Sequence, residues 1–181
     1  MKKILLSLTL IILQTTPALA ETNLILRPTA DGAISQWSVT PASPHYAAID
    51  DSGDATDYIS LAGVGRNGNE KDEFFVSIPS TSSTVKTVTL WIYGKNEGCR
   101  GKGNHNCDTL NFIVDNQFSV KDVSLPVNSF GWISISYNVS SYNYNLPEMV
   151  MFSMTRKANG SGDNNDGIKV ASLYIDVVTD L

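Results

Sequence analysis

Aromatic side chains that a β-strand turns away from its core are the residues of this chain with the most readily assigned chemistry. In segment 84–93, T-V-K-T-V-T-L-W-I-Y, aliphatic residues alternate with threonines and then with Trp91 and Tyr93. Such alternation predicts a strand with one buried face. Trp and Tyr faces stack on the C–H groups of a sugar ring, so Trp91 and Tyr93 are candidate ligand-binding residues.

Three more aromatic residues join this candidate site. Segment Gly131–Ser140 alternates in the same way and places Trp132 on the face opposite its isoleucines, while Tyr142 and Tyr144 follow in a polar loop. If the strands of Trp91 and Trp132 share a sheet, the two indoles could form one platform with the tyrosines at its rim. The alternative is that these rings pack across strands and only stabilise the sheet.

A cluster of carboxylates suggests calcium. Asp50, Asp51, Asp54 and Asp57 lie within one short segment around Gly53. Ca²⁺ takes six to eight oxygen ligands, and extracellular sites can be weak and still fill. The spacing differs from that of the EF-hand loop, and a solvated acidic loop is the alternative. Structural calcium is therefore a hypothesis.

The two cysteines, Cys99 and Cys107, close the small loop C-R-G-K-G-N-H-N-C. In an exported protein such a pair predicts a disulfide bond. A metal site formed by these cysteines and His105 is the alternative, although it lacks a fourth ligand and the usual spacing.

The start of the chain indicates export. Lysines at positions 2 and 3, an apolar run over Ile4–Leu13 and the sequence A-L-A at 18–20 together predict a secretory signal peptide, residues 1–20. The apolar run is too short to span a bilayer, so we expect a secreted protein, extracellular or periplasmic, without membrane insertion.

The charge of the remaining chain excludes one class of partner. Removing the two leader lysines leaves 11 of the 13 basic residues against 18 acidic ones, a balance of −7. Nucleic acid, whose phosphates require a basic surface, is therefore not an expected partner.

Residues 21–181 predict a single all-β domain. Nine to eleven short strand patterns separated by turn residues, with no sustained helical period, indicate an antiparallel β-sandwich of jelly-roll type. Within this pattern, T-A-D-G at Thr29–Gly32 predicts a turn and His45–Ile49 a short strand.

The order of elements resembles the jelly-roll sandwiches of carbohydrate-binding modules and galactose-binding-like domains. The resembling residues are L-R-P-T-A-D-G with Trp37, the stretch Ile49–Ser60 and the closing V-A-S-L-Y-I-D-V of Val170–Val177. The resemblance implies non-catalytic recognition of a glycan or cell-surface polysaccharide.

Two other functions remain open. Sheet edges can accept strands from other chains, so the protein could be a structural or adhesive subunit with Glu21–Arg27 as a donor strand. A small polysaccharide-degrading enzyme is the lesser alternative, because neither H-E-x-x-H nor G-x-S-x-G occurs and no pair of glutamates suggests a glycosidase.

Overall fold

A computed structural model describes residues 21–50, 53, 55–61, 70–77, 85–97, 107–114, 118–139, 149–157 and 167–180. Several features predicted from the sequence lie outside these ranges: the leader 1–20, Asp51, Asp54, Cys99, Tyr142 and Tyr144. Within them, no helix is long and apolar enough to cross a membrane.

The described residues form eleven strands and one 3-10 turn, Tyr46–Ala48. The strands are β1 Glu21–Leu26, β2 Pro28–Ser35, β3 Ser38–Thr40, β4 Tyr58–Leu61, β5 Lys71–Ser77, β6 Val85–Glu97, β7 Thr109–Val114, β8 Phe118–Val123, β9 Gly131–Asn138, β10 Met149–Lys157 and β11 Gly167–Asp180.

These strands make two sheets. The first has the order β3-β4-β11-β6-β9, with β1 also paired to β11, and the second has the order β2-β5-β10-β7-β8. Every pairing within the sheets is antiparallel. From β4 onward the chain alternates between sheets except at the β7–β8 hairpin, which is the strand arrangement of an eight-stranded jelly roll. The predicted all-β sandwich is confirmed.

The last strand, β11, is central to the first sheet. β6 pairs with it from Gly167 to Thr179, with register shifts at two places. Its other edge is divided between β4, at the start of the strand, and β1, at the end. One strand therefore joins three others.

The core lies between the two sheets, because each strand turns alternate apolar side chains inward. The first sheet contributes Leu90, Ile92, Leu173, Ile175 and Val177, and the second contributes Phe74, Val76, Leu110, Phe112 and Met154. All of these side chains are buried.

The turn predicted at Thr29–Gly32 is wrong, because these residues belong to β2. Asp31 accepts hydrogen bonds from the backbone N–H groups of His45, at 3.1 Å, and Tyr46, at 2.7 Å. A Cβ on Gly32 would overlap Cβ of Glu73 on β5, so the glycine permits close approach of two strands. Residues typical of turns therefore have other roles here: Asp31 caps the backbone at residues 45 and 46, and Gly32 lets β2 approach β5.

The strand predicted at His45–Ile49 is also wrong. Backbone N–H groups of Ala48 and Ile49 donate to the carbonyls of His45 and Tyr46, which makes a 3-10 turn. Ala48 and Ile49 are fully buried, so the apolar residues that suggested a strand instead fix this turn against the core.

Gly32→Ala should destabilise the protein, because the added methyl group has no space beside Glu73. Overpacking of this kind costs about 1–3 kcal/mol. The free energy of unfolding, measured by urea titration, should fall by that amount. The matched change Ala33→Ser, at an exposed position of the same strand, should alter it by less than about 0.5 kcal/mol. Equal effects of the two changes would contradict the close approach.

Candidate functional site

The outer side of the first sheet brings together aromatic residues from neighbouring strands. In the β6–β9 ladder Tyr93 is opposite Trp132, and in the β6–β11 ladder Trp91 is opposite Tyr174. β6 lies between β9 and β11, so its two outward rings join those of both neighbours. The strands of Trp91 and Trp132 therefore share a sheet, which is the condition for a common platform.

Among the described residues, six rings form one continuous surface, which we call the aromatic face: Tyr58, Trp91, Tyr93, Phe130, Trp132 and Tyr174. The Trp91 and Tyr174 rings are stacked, with centroids 5.9 Å apart and an angle of 14° between planes. Trp132 lies 5.1 Å from Tyr93 and contacts Tyr174 edge-on at 5.5 Å. These separations are typical of favourable aromatic pairs.

Phe130 extends the aromatic face toward β4. Its ring centroid lies 5.5 Å from that of Tyr93 and 6.4 Å from that of Tyr58. Neither Phe130 nor Tyr58 was a candidate on sequence grounds. Phe130 has the same parity as Trp132, so extending the alternation of β9 by two residues would have found it.

Exposure distinguishes one ring from the others. Trp132 is 40% exposed, whereas the remaining five rings are half-buried. The rings thus pack against one another across strands, which was the alternative to a ligand platform in the sequence analysis. This packing nevertheless leaves a large part of the Trp132 indole open to solvent. The rings therefore both pack across the sheet and leave an aromatic surface exposed to solvent.

Three cations border the aromatic face. The Arg27 guanidinium carbon lies 5.1 Å from the centre of the Tyr174 ring, and Lys95 Nζ lies 4.9 Å from that of Phe130. Lys169 Nζ lies 4.6 Å from the centre of the Tyr58 ring. Each contact is within the range of a cation–π interaction.

Glu97 joins two of these cations. Lys95 Nζ lies 2.6 Å and Lys169 Nζ 3.1 Å from Glu97 Oε1. Desolvation raises the pKa of Glu97, but hydrogen bonds from the two lysines outweigh it and hold the pKa below its ordinary value. Desolvation lowers the pKa of Lys169, but hydrogen bonds with Glu97 and Tyr58 outweigh it and raise the pKa. Glu97 and Lys169 are therefore both charged at neutral pH.

The acidic segment 50–57 reaches the aromatic face through Gly53. A Cβ on Gly53 would lie 2.8 Å from Cζ2 of Trp132, and the residue has φ +96°, which favours glycine. Arg27 Nη1 donates a hydrogen bond of 2.9 Å to the backbone carbonyl of Asp50. Asp50 thus contacts the cationic border, and Gly53 lies against the exposed indole.

The described residues do not complete the predicted calcium site. Asp50 and Asp57 are described, and Asp57 accepts a hydrogen bond from Thr56 Oγ1 at 3.2 Å. Asp51 and Asp54 lie outside the described ranges. Among described side chains, no group of three or more His, Cys, Asp or Glu residues is placed to hold a metal ion.

Cys107 is buried just before β7, and no described cysteine is a free thiol. Its predicted partner, Cys99, lies outside the described ranges, as does His105. The Cys99–Cys107 pairing remains a prediction.

A serine, a histidine and an aspartate meet away from the aromatic face. His45 Nδ1 lies 2.7 Å from Asp72 Oδ2 and 2.9 Å from Ser35 Oγ. A Ser-His-Asp triad places serine and aspartate on different ring nitrogens. Here both contact Nδ1, so the arrangement is not that of a triad.

The role of this cluster is to fix the chain between β2 and β4. Asp72 is fully buried, and its Oδ1 accepts the backbone N–H groups of Gln36, at 2.6 Å, and Trp37, at 3.0 Å. Burial raises the pKa of Asp72, although the hydrogen bond with His45 and the two backbone donors oppose the shift.

Comparison with known proteins gives structural likeness only. No protein-family model and no curated protein matches the chain. Among solved structures, a variant of the family 29 carbohydrate-binding module CBM29-2 complexed with mannohexaose is similar over 87% of this chain and 92% of its own, with 14% identity and a TM-score of 0.36. A second variant of a family 29 module has the same coverage and identity and a TM-score of 0.35. The fold assignment rests on this chain's own strand order.

Asp72→Asn should remove a pH-dependent loss of stability. A carboxyl whose pKa is raised by folding contributes stability that is complete below its unfolded pKa, about 3.9, and is lost as pH rises through the folded pKa. Asparagine keeps the acceptor for Gln36 and Trp37 but carries no charge to desolvate. The free energy of unfolding of the variant, relative to wild type, should therefore rise with pH above about pH 4.

The control for this prediction is Ser35→Ala, which removes the hydroxyl beside His45 but leaves Asp72 ionisable. Its difference from wild type should not change over the same pH interval. A difference for Asp72→Asn that is equally independent of pH would contradict the assignment.

Proposed function

We propose that the protein is a secreted, non-catalytic carbohydrate-binding domain and that the aromatic face is its ligand surface. The observation that carries the proposal is Trp132, which is 40% exposed on a continuous surface of six rings. The core on the inner side of the sheet does not use these rings. An exposed indole held by neighbouring rings is suited to stack on the apolar face of a sugar.

Polar groups next to the rings suit sugar hydroxyls. Ser134 is opposite Trp91 on the outer side of the sheet. Beyond it, Thr89 Oγ1 and Ser136 Oγ lie 2.9 Å apart and leave further donor and acceptor capacity.

Secretion, extracellular or periplasmic, is part of the proposal. It is supported by the leader pattern of residues 1–20. Tyr142 and Tyr144 belong to the proposed rim because they follow β9, the strand of Trp132, by a few residues.

Trp132→Ala should weaken glycan binding by about tenfold or more, because an exposed tryptophan at a ligand surface commonly accounts for over 1.4 kcal/mol. Affinity would be measured by calorimetry for the best ligand from a glycan array. Trp132→Phe, which keeps a ring, should retain part of the affinity, as expected if stacking on an aromatic ring contributes to binding.

The control is Lys121→Ala, which truncates an exposed side chain on β8 of the second sheet, away from the aromatic face. It should leave affinity within about twofold of wild type. A folded wild-type protein that binds no glycan would refute the proposal. Binding that is unaffected by Trp132→Ala would show that the ligand surface lies elsewhere.

We also propose that Asp50, Asp51, Asp54 and Asp57 bind a structural calcium ion. Gly53 lies in the middle of this segment and close to Trp132. An ion that orders segment 50–57 would therefore also fix the position of the exposed indole, which fits a structural role. Their carboxylate oxygens are the donors that Ca²⁺ prefers.

Adding about 10 mM calcium should raise the melting temperature by roughly 3–10 °C, as expected for an extracellular site of ordinary affinity. A chelator should reverse the rise, and Asp57→Asn should abolish it. Asp122→Asn, which removes a carboxylate from β8, should leave it intact. A melting temperature that does not respond to calcium would exclude the site.

A further inference from the structure

β9 forms one edge of the first sheet, and the strand itself has no charge, proline or bulge to protect that edge. It pairs with β6 over Gly131–Asn138 without a register shift. Its sequence, G-W-I-S-I-S-Y-N, contains no charged residue and no proline. Exposed strands of this kind invite pairing with another strand, and natural proteins usually protect them with charges, prolines or bulges.

The backbone groups that β9 presents at this edge follow from its register with β6. Val139 N–H donates to the carbonyl of Lys86, so odd-numbered residues of β9 form the hydrogen-bonded pairs with β6. The N–H and C=O groups of Trp132, Ser134 and Ser136 therefore point away from β6. Within the described part of the chain, no strand pairs with them.

Other edges of the sandwich are protected. In the second sheet, β8 carries Lys121 and Asp122, the latter with φ +59°, and its pairing with β7 has a register shift. β2, at the opposite edge of that sheet, begins at Pro28 and pairs with β5 through two register shifts. In the first sheet, β3 has only three residues and is followed by Pro41.

β1 is the remaining edge and was the donor strand expected from the sequence. It pairs with β11 of its own chain. Its uncharged stretch is short, because Glu21 begins the strand and Arg27 and Pro28 follow it. Glu21 also forms an ion pair of 3.1 Å with Lys86. β9 is therefore the better edge for addition of a strand.

We propose that the partner of β9 is β9 of a second copy of this chain, in an antiparallel pair centred on Ser134. In this register Trp132 is opposite Ser136 of the second copy, and Ile133 is opposite Ile135. The pair is self-complementary, since isoleucine meets isoleucine on the core side and no charge meets a like charge. A two-fold arrangement of this type is closed and ends at a dimer.

Charge also favours β9 over the other edges as the place where two copies meet. The chain from residue 21 has a balance of −7, so two copies repel each other at most surfaces. The uncharged β9 is the edge where that repulsion is least. The dimer would have both aromatic faces on one side of a continuous sheet, with the two Trp132 residues about 14 Å apart along the strands, at 3.4 Å per residue.

Ser134→Lys is the direct test, because it places two ammonium groups opposite each other at the two-fold axis. Ser134 is exposed on the outer side of the sheet, so the change should not disturb the core. Sedimentation equilibrium should show a dimer for the wild-type protein. The variant should have a dimer dissociation constant higher by tenfold or more, since like-charge contacts cost several kcal/mol.

The control is Asn23→Lys, which adds the same charge at an exposed position of the β1 edge and should leave the dimer intact. A short bis-maleimide should join two Ser134→Cys chains but not two Asn23→Cys chains. A wild-type protein that remains monomeric at about 0.5 mM would overturn the proposal. So would a dimer broken by Asn23→Lys and not by Ser134→Lys.

Discussion

Both faces of the first sheet depend on the ladder between β6 and β11. On the core side the ladder sets Val88, Leu90 and Ile92 against the aliphatic residues of β11, which closes the sandwich. On the outer side it sets Trp91 against Tyr174. Because side chains alternate along a strand, a slip of one residue would turn the aromatic rings into the core and the aliphatic residues into solvent.

The features that follow from a period of two could be predicted from the sequence. The outward positions of Trp91, Tyr93 and Trp132 need only the alternation in their own strands, and the all-β fold needs only many such strands. Their meeting on one surface could not be deduced, because the order of strands in a sheet is set by long-range pairing. Tyr58 was missed because β4 has only four residues, which is too short to show a clear alternation. Phe130 was missed because it precedes the first residue of β9.

Local composition predicted secondary structure less well where residues contact segments that are distant in the sequence. T-A-D-G predicts a turn when read alone, yet Asp31 caps residues 45 and 46, and Gly32 meets β5. His45–Ile49 was predicted to be a short strand, but its backbone forms a 3-10 turn, and the carbonyl of Ile49 accepts a hydrogen bond from Leu173 N–H. These outcomes depend on partners far along the chain, which no short window contains.

The central position of β11 has a consequence for the order in which the protein can be assembled. β1, β4 and β6 all pair with this strand, and it comprises nearly the last residues of the chain. During synthesis the first sheet therefore lacks its middle until β11 has been translated, after all three of its pairing partners. The sheet cannot close before that point, and a truncation before Gly167 would remove the centre of the fold rather than its margin.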